Sequence, residues 1–426
     1  MGKKRGGLLK WKWKLCTSCS PIADVFVDSG AGGRRMRHEE DDDDEAASVA
    51  SVETRGTFVS DDGEFYDSYS KNVDDEQEID EAIEELTEKR TTTRVAALEK
   101  LTAYLQQYLA PEDVSESFVD NVLGCLRKPS EGEAVLGSRI LAIMAIIFGE
   151  DEERYFQRSK NVLKPLIKTA RNAKIKVSTI RALGLICFVC SVEEENTEEL
   201  LELFETFFNP KIIGDICKAA LDSWGLVASS LSDEILASDE LLERLVPKFL
   251  ALLDHKDVDV RSAAGENVAF LYESAQNCGV PLPYSEEILA RFLEMSKDSS
   301  KKNSKKDRKT QRVVFRDIHS TLASGETPHV SFSVKSDVLE ISSWKSVKQF
   351  EAMKECLQTG LQEHIKYNNI LRAILDLPET LEDRKVDRSD VFNKKSASRK
   401  QRSNELKGDR KRKQHMQDAF YDNGFY

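Results

Sequence analysis

Apolar residues recur at intervals of three and four through the middle of the chain. Val95, Leu98, Leu101, Leu105 and Leu109 are one example, and this spacing predicts a helix with a single buried stripe. The same periodicity runs across residues 74–295. Proline is sparse there and reads as punctuation between such stretches, at Pro111, Pro129, Pro210, Pro281 and Pro283. A long all-helical region is expected.

The helical pattern repeats. A small residue sits inside an apolar stretch at Ala97, Ala142, Ala182, Ala220 and Ala264, at successive spacings of 45, 40, 38 and 44 residues. That falls on the ~40–47-residue period of HEAT and armadillo repeats, in which the inner helix of each unit needs small residues to approach both neighbours. The bland alternative is a non-repeating bundle. The last unit is the clearest, because Asp257 is placed to cap a helix that Val260 enters as core and Arg261 lines as ridge. Farther along, Val330, Phe332 and Val334 alternate with serines like a short strand, and 338–341 reads as another. Phe350, Met353, Leu357 and Leu361, then Ile365, Ile370, Leu371 and Ile374, return to helical spacing.

The expected fold class is therefore mainly α: a HEAT/armadillo-like α-solenoid with a small C-terminal α(+β) domain and disordered charged tails. Five segments follow: an arm over 1–72, basic then acidic; the helical repeat domain over 73–296; a basic hinge over 297–316; the small domain over 317–378; and a basic tail over 379–426.

Charge sharpens this division. The chain of 426 residues has a formal charge of -13, yet Lys and Arg less Asp and Glu come to +7 over 1–38, -19 over 39–88, -10 over 89–296 and +9 over 297–426. The longest uninterrupted apolar run, 140–148, is far short of the ~20 residues that cross a bilayer, so no membrane span is expected. Lys3, Lys4 and Arg5 are followed by Lys10, Lys12 and Lys14 rather than an apolar core, so no secretory signal is expected either. Gly6 stands where a myristoylation signal needs Ser or Thr. Eight cysteines, mostly within apolar helical stretches, fit a reducing compartment. The expected location is cytoplasmic, nuclear or both.

Candidate chemistry is thin. Cys16 and Cys19 form a CxxC pair beside Trp11 and Trp13, with His38 the nearest other ligand type, so a structural zinc site lacks its four ligands and free thiols are the plainer reading. Cys187 and Cys190 lie among Leu185, Ile186, Phe188 and Val189 and read as small core residues. The six histidines are scattered, and no phosphate-binding loop, nucleophile elbow or dinucleotide fingerprint occurs. No catalytic residue, cofactor, metal or small-molecule substrate is expected.

The electrostatic signal is stronger. In 297–316 nine Lys or Arg face two acids, and the candidates for phosphate contact are Lys305, Lys306, Arg308, Lys309, Arg312 and Arg316. In 384–413 thirteen Lys or Arg face four acids, with Lys394, Lys395, Arg399, Lys400, Arg402, Arg410, Lys411, Arg412 and Lys413 as candidates. So polar a segment has no apolar stripe to bury, but neutralisation on a polyanion would order it. The expected partner is a ribosome, rRNA or other RNA, and the competing reading of 411–413 is a nuclear import signal. The acidic block at 39–88 reads as a solvated arm, or as a mask that folds back on the basic hinge and tail. Protein complexes on the concave face of the solenoid are a further expected partner.

Particular residues also resemble a known family. The run Lys306-Asp307-Arg308-Lys309-Thr310-Gln311-Arg312 with Phe315-Arg316-Asp317-Ile318, then Ser343-Trp344, Gln349-Phe350, Gly360, His364, Asn368 or Asn369 and Leu371-Arg372, resembles the C-terminal domain of the interferon-related developmental regulators. Leu86-Thr87-Glu88-Lys89-Arg90 with Thr93-Arg94 and Ala97-Leu98 is similar to that family's first repeat, and Val260-Arg261-Ala263-Ala264-Gly265-Glu266 to its last. The resemblance spans about 74–377. It implies a non-enzymatic regulator of gene expression: a translational one, with the helical repeat on the ribosomal surface and the basic C-terminal segment in its RNA-lined interior, or a transcriptional co-regulator working with deacetylase complexes. The tail departs from the SPNSA-type stretch of many members, carrying Ser389-Asp390-Val391-Phe392-Asn393-Lys394-Lys395-Ser396-Ala397 instead.

Overall fold

The computed structural model describes residues 75–107, 115–149, 152–297, 304–334 and 337–380. The arm at 1–72, with Trp11, Trp13, Cys16, Cys19 and His38, lies outside the described residues. So do the tail candidates Lys394, Lys395, Arg399, Lys400, Arg402, Arg410, Lys411, Arg412 and Lys413.

The described chain is mainly helical and consistent with a helical repeat. Helices α1 (Asp75–Glu85), α3 (Glu116–Cys125), α5 (Glu153–Thr169), α7 (Glu194–Glu205), α10 (Asp239–Leu252) and α12 (Ser285–Lys297) are each the first of a pair. Their seconds are α2 (Thr91–Leu105), α4 (Glu131–Phe148), α6 (Ala173–Cys190), α8 (Gly214–Ala228), α11 (Val258–Asn277) and α13 (Lys305–Ser324), while the short α9 (Asp233–Leu236) precedes α10 and touches α11. Each first helix packs on its second, and each second helix packs on the next, from α2 through α4, α6, α8 and α11 to α13.

Local chemistry sets the starts of these helices. Ser130 and Glu133 form a reciprocal capping box at α4. Asn172 caps α6 by accepting from the Lys174 N–H at 2.8 Å, and Asp257 caps α11 by accepting from Asp259 at 3.0 Å. The two prolines that the periodicity does not treat as breaks, Pro165 and Pro247, lie inside α5 and α10.

The five small residues of the repeat pattern, Ala97, Ala142, Ala182, Ala220 and Ala264, all lie buried on second helices. Close approach is visible at the next joint too, where a Cβ on Gly265 would come within 2.8 Å of the Phe315 ring on α13. Between these joints lie large buried side chains such as Trp224 and Phe249, whose rings meet edge to face at 5.4 Å.

The stretch 297–316 departs from its reading as a hinge. From 305 onward it is the start of α13, the second helix of a sixth pair, packed on α11 and α12. Gln311, Val314, Phe315 and Ile318 are buried, which is helical spacing, while Lys309, Arg312 and Arg316 face out. The basic residues between the apolar ones hid the stripe. Arg261 departs as well: it is buried, bonding the His255 carbonyl at 2.6 Å and Gln311 Oε1 through Nε at 3.1 Å, so it ties α11 to α13 instead of lining a ridge.

After α13 come the antiparallel strands β1 (Val330–Val334) and β2 (Asp337–Ile341), with Phe332 opposite Leu339. Helix α14 (Trp344–Leu357), a 3₁₀ turn (Gln358–Gly360), α15 (Leu361–Tyr367) and α16 (Asn369–Ile374) complete the described chain. These elements do not stand apart, since α14 packs on α4, α8 and α11, and α16 packs on α4.

Candidate functional site

The C-terminal segment lies across the row of second helices, and polar side chains set its position. At one end of α14 the Glu273 carboxylate of α11 accepts the Trp344 and Lys345 backbone N–H groups at 2.9 and 3.3 Å, capping the helix from a neighbouring element. Trp344 Nε1 donates to Thr321 Oγ1 at 3.1 Å. One turn on, Lys348 and Glu266 form an ion pair at 3.0 Å with each side chain about 5% exposed. Gln349 donates to Ser229 Oγ at 3.1 Å, Arg139 Nε donates to the Cys356 carbonyl at 2.7 Å, and Arg181 pairs with Glu355.

The following turn continues the same mode of attachment. Gln106 donates to the Leu357 carbonyl at 3.2 Å, and a Cβ on Gly360 would approach the Gln106 carbonyl oxygen to 2.5 Å, so only glycine lets these backbones meet. His364 Nε2 lies 2.8 Å from the Leu105 carbonyl; because a carbonyl only accepts, Nε2 carries the proton. Asn368 donates to the Ile146 carbonyl at 2.8 Å while capping α16. Gln106, Leu105 and Ile146 stand at the ends of α2 and α4, where the last carbonyls lack helical partners.

Between α14 and the second helices runs a cleft of 890 Å³ lined by Arg139, Arg181, Lys218, Asp222, Lys348 and Glu355 among others. Several of its charges are paired, Lys218 with Asp222, Arg181 with Glu355 and Lys348 with Glu266. Burial pushes the Asp222 carboxyl up, but the Lys218 ammonium at 2.6 Å and Lys348 outweigh it and hold the acid below its usual value. Cys356 also lines the cleft. Burial raises its thiol to about 12, so at neutral pH it is a protonated core side chain and not a nucleophile. Glu273 is pushed up to about 7, chiefly by burial, with Asp233 adding repulsion, against the two N–H bonds and Lys345 that lower it. Cys187 and Cys190 are buried on α6, as their apolar neighbours imply, and burial raises the Cys187 thiol to about 12.

Of the basic candidates within the described residues, Lys305 and Lys306 open α13, Arg308 is half-buried, and Lys309, Arg312 and Arg316 are exposed at spacings that place them along one side of the helix. They stand apart from the cleft at α14, whose ion pairs the sequence reading did not single out. Partners such as Lys348 and Glu266 are 82 residues apart, and no periodic signal joins them.

Several of the residues that carry the family resemblance in the C-terminal part hold that segment in place, while Lys309, Arg312 and Arg316 face out. Gln311 receives Arg261; Trp344, Gln349, Gly360, His364 and Asn368 make the contacts just described; Arg372 donates to the Ile365 and Pro378 carbonyls. Comparison with known proteins agrees with that resemblance. The sequence model of the family described as interferon-related developmental regulator matches residues 46–323. Mouse interferon-related developmental regulator 2 is 27% identical over 340 residues, 75% of this chain and 77% of its own. Interferon-related developmental regulator 1 from pig is 25% identical and that from human 24%, each over 356 residues, 77% of this chain and 79% of the relative. Among solved structures, an engineered protein superposes on 58% of this chain and 99% of its own with a TM-score of 0.40 and 17% identity. With well over half of its length matched by the family model, the chain belongs to the interferon-related developmental regulator family.

Proposed function

We propose that this regulator is a non-catalytic α-solenoid adaptor that binds ribosomes or other RNA and represses translation by steric occlusion, its basic C-terminal tail entering a nucleic-acid channel and excluding the normal occupant. Membership of a regulator family supports a role in gene expression. The observation that carries the RNA reading is the division of α13 into two faces: Phe315 and Ile318 are held in the core, and Lys309, Arg312 and Arg316 are left to solvent just ahead of the C-terminal segment. Cations anchored on a packed helix lose little entropy on meeting phosphate, and a tail of thirteen Lys or Arg over 384–413 supplies further contacts. The side of the second helices on which α14 lies is less available to protein complexes, because α14 packs on α4, α8 and α11.

Sedimentation through sucrose gradients at two salt concentrations tests this reading. The full chain is expected to travel with ribosomal particles at low salt, and a chain ending at Pro378 to be released at lower salt than the full chain. Six phosphate contacts correspond to about a 10³-fold loss of affinity between 50 and 200 mM salt. Failure of both forms to co-sediment even at low salt overturns the proposal and leaves the alternative, a nuclear co-regulator scaffold that recruits chromatin-modifying deacetylase complexes.

A further inference from the structure

The two ends of the helix pairs carry opposite charge. Inner-helix N-termini are neighbours along one edge: Arg94 of α2 reaches Glu133 of α4, Lys174 and Asn172 at the start of α6 reach Glu131 of α4, and Gly214 of α8 abuts Asp257 of α11. The turns from first to second helix therefore succeed one another along this edge, and the first four carry Lys89 and Arg90, Arg127 and Lys128, Arg171, and Lys211, whereas the fifth sets Lys256 between Asp254 and Asp257. Residues 166–178 hold four basic residues and no acid, within a region whose net charge is -10. The turns from second to first helix are the reverse. Residues 188–199 hold five acids and no base, as do 227–243.

Ion pairing does not consume the basic edge. Four of its acids are engaged, Glu131 by Lys174, Glu133 by Arg94 and Ser130, Asp254 by Arg291, and Asp257 as the cap of α11, while Glu88, Asp215 and Asp259 are exposed. Lys89, Arg127, Lys128, Lys168, Arg171 and Lys211 are exposed and have no ion pair among the described residues. The edge also lacks what a protein interface needs, an apolar centre. Of the exposed large apolar side chains among the described residues, Ile213 is the one that falls in these turns.

We infer that this edge is a docking rail for the sugar-phosphate backbone of single-stranded RNA, separate from the C-terminal tail. The first four helix pairs present cations at the ~8–10 Å spacing of packed helices, which suits a repeating anion read through its charge and not through its bases. The acidic opposite edge repels the same polymer and fixes which side it follows. The rail spans the first four helix pairs, and Asp254, Asp257 and Asp259 at the fifth mark where it ends. This inference rests on the RNA-binding reading and assigns it a surface that the tail does not provide.

The test uses three full-length proteins and a fluorescent 30-nucleotide uridine oligomer: the natural chain, an edge variant (Arg127→Ala, Lys128→Ala, Lys168→Ala, Arg171→Ala) and a tail variant (Arg410→Gln, Lys411→Gln, Arg412→Gln, Lys413→Gln). Anisotropy gives affinity against salt, and circular dichroism with thermal melting checks that the edge variant, altered only at exposed positions, remains folded. Loss of four phosphate contacts lowers the slope of log K against log salt by about 3 for a single strand, and this is expected for the edge variant. A natural chain that does not bind the oligomer overturns the RNA reading itself. A natural chain that binds, with a slope lowered only in the tail variant, overturns the rail and leaves that reading standing. Binding of polyglutamate of the same charge as tightly as RNA also overturns the rail, by assigning the edge to acidic protein.

Discussion

Where α4 meets α6 and α6 meets α8, the contact is mostly apolar, with Ala142, Ala182 and Ala220 buried on these helices and long hydrogen bonds from Ser178 and Ser223 hydroxyls to the Ala134 and Ile180 carbonyls. Where α14 crosses α4, α8 and α11, the attachment is studded with polar groups: a buried Lys348–Glu266 pair, a carboxylate on backbone N–H groups, and side chains on helix-end carbonyls. The first kind of joint is non-directional and scales with area, and it tolerates any sequence of the right volume and period. The second is directional. Each donor has one acceptor, so α14 through α16 lie in one register on the row, and an error leaves buried polar groups unsatisfied at a cost of about 1–3 kcal/mol each.

The largest break in that contrast is expected at Lys348. Replacing it by Met leaves Glu266 buried without its counter-ion and is expected to cost about 3–5 kcal/mol in chemical denaturation. Adding Glu266→Gln should restore much of the loss, because the penalty comes from the orphaned charge. If Lys348→Met alone is neutral, the attachment of α14 does not depend on this pair.

The pH dependence of stability separates the two joints next. Glu273 rises from an ordinary 4.5 to about 7 in the folded chain, so between these values the folded state binds the extra proton. Stability from this group is therefore greatest below 4.5 and falls as pH rises toward 7, by about 3 kcal/mol in all. Glu273→Gln keeps an oxygen for the Trp344 and Lys345 N–H groups and removes the titration. Its unfolding free energy, relative to the natural chain, is expected to increase from pH 5 to pH 8; an unchanged difference removes Glu273 as a titrating cap of α14.

A smaller effect probes contact without charge. Gly360→Ala places a methyl group against the Gln106 carbonyl oxygen and is expected to lower stability by about 1–3 kcal/mol in thermal melting, with displacement of the 3₁₀ turn. Wild-type stability in this variant would mean that the turn yields without strain, and the register of the segment is then held by α14 alone.

Much of the helical part was legible because its determinants are local. The apolar period, the capping Asp257 and the five alanines all speak of neighbours within one helix or one repeat, and each lies where the pattern places it. The strands at 330–334 and 338–341 were legible for the same reason, from alternation over a few residues. Helix α13 was not, since its apolar stripe at 311, 314, 315 and 318 is interleaved with Lys and Arg, and composition then argues for a hinge. The basic edge was half legible. The four cations at 166–178 are visible in the chain, but only the packing of successive pairs sets them beside Arg127, Lys128 and Lys211.

Periodicity, small-residue spacing and charge blocks thus established a mainly helical chain with a repeat and the resemblance that led to its family. They act over three to forty-five residues, the range in which one helix or one pair determines its own burial. The placement of α14 on α4, α8 and α11 belongs to the folded molecule, because Gln106 and Leu357, 251 residues apart, are matched by hydrogen-bond geometry alone. The same holds for the segregation of charge to two edges: most turns have a modest excess, and helix-on-helix stacking sets these excesses side by side.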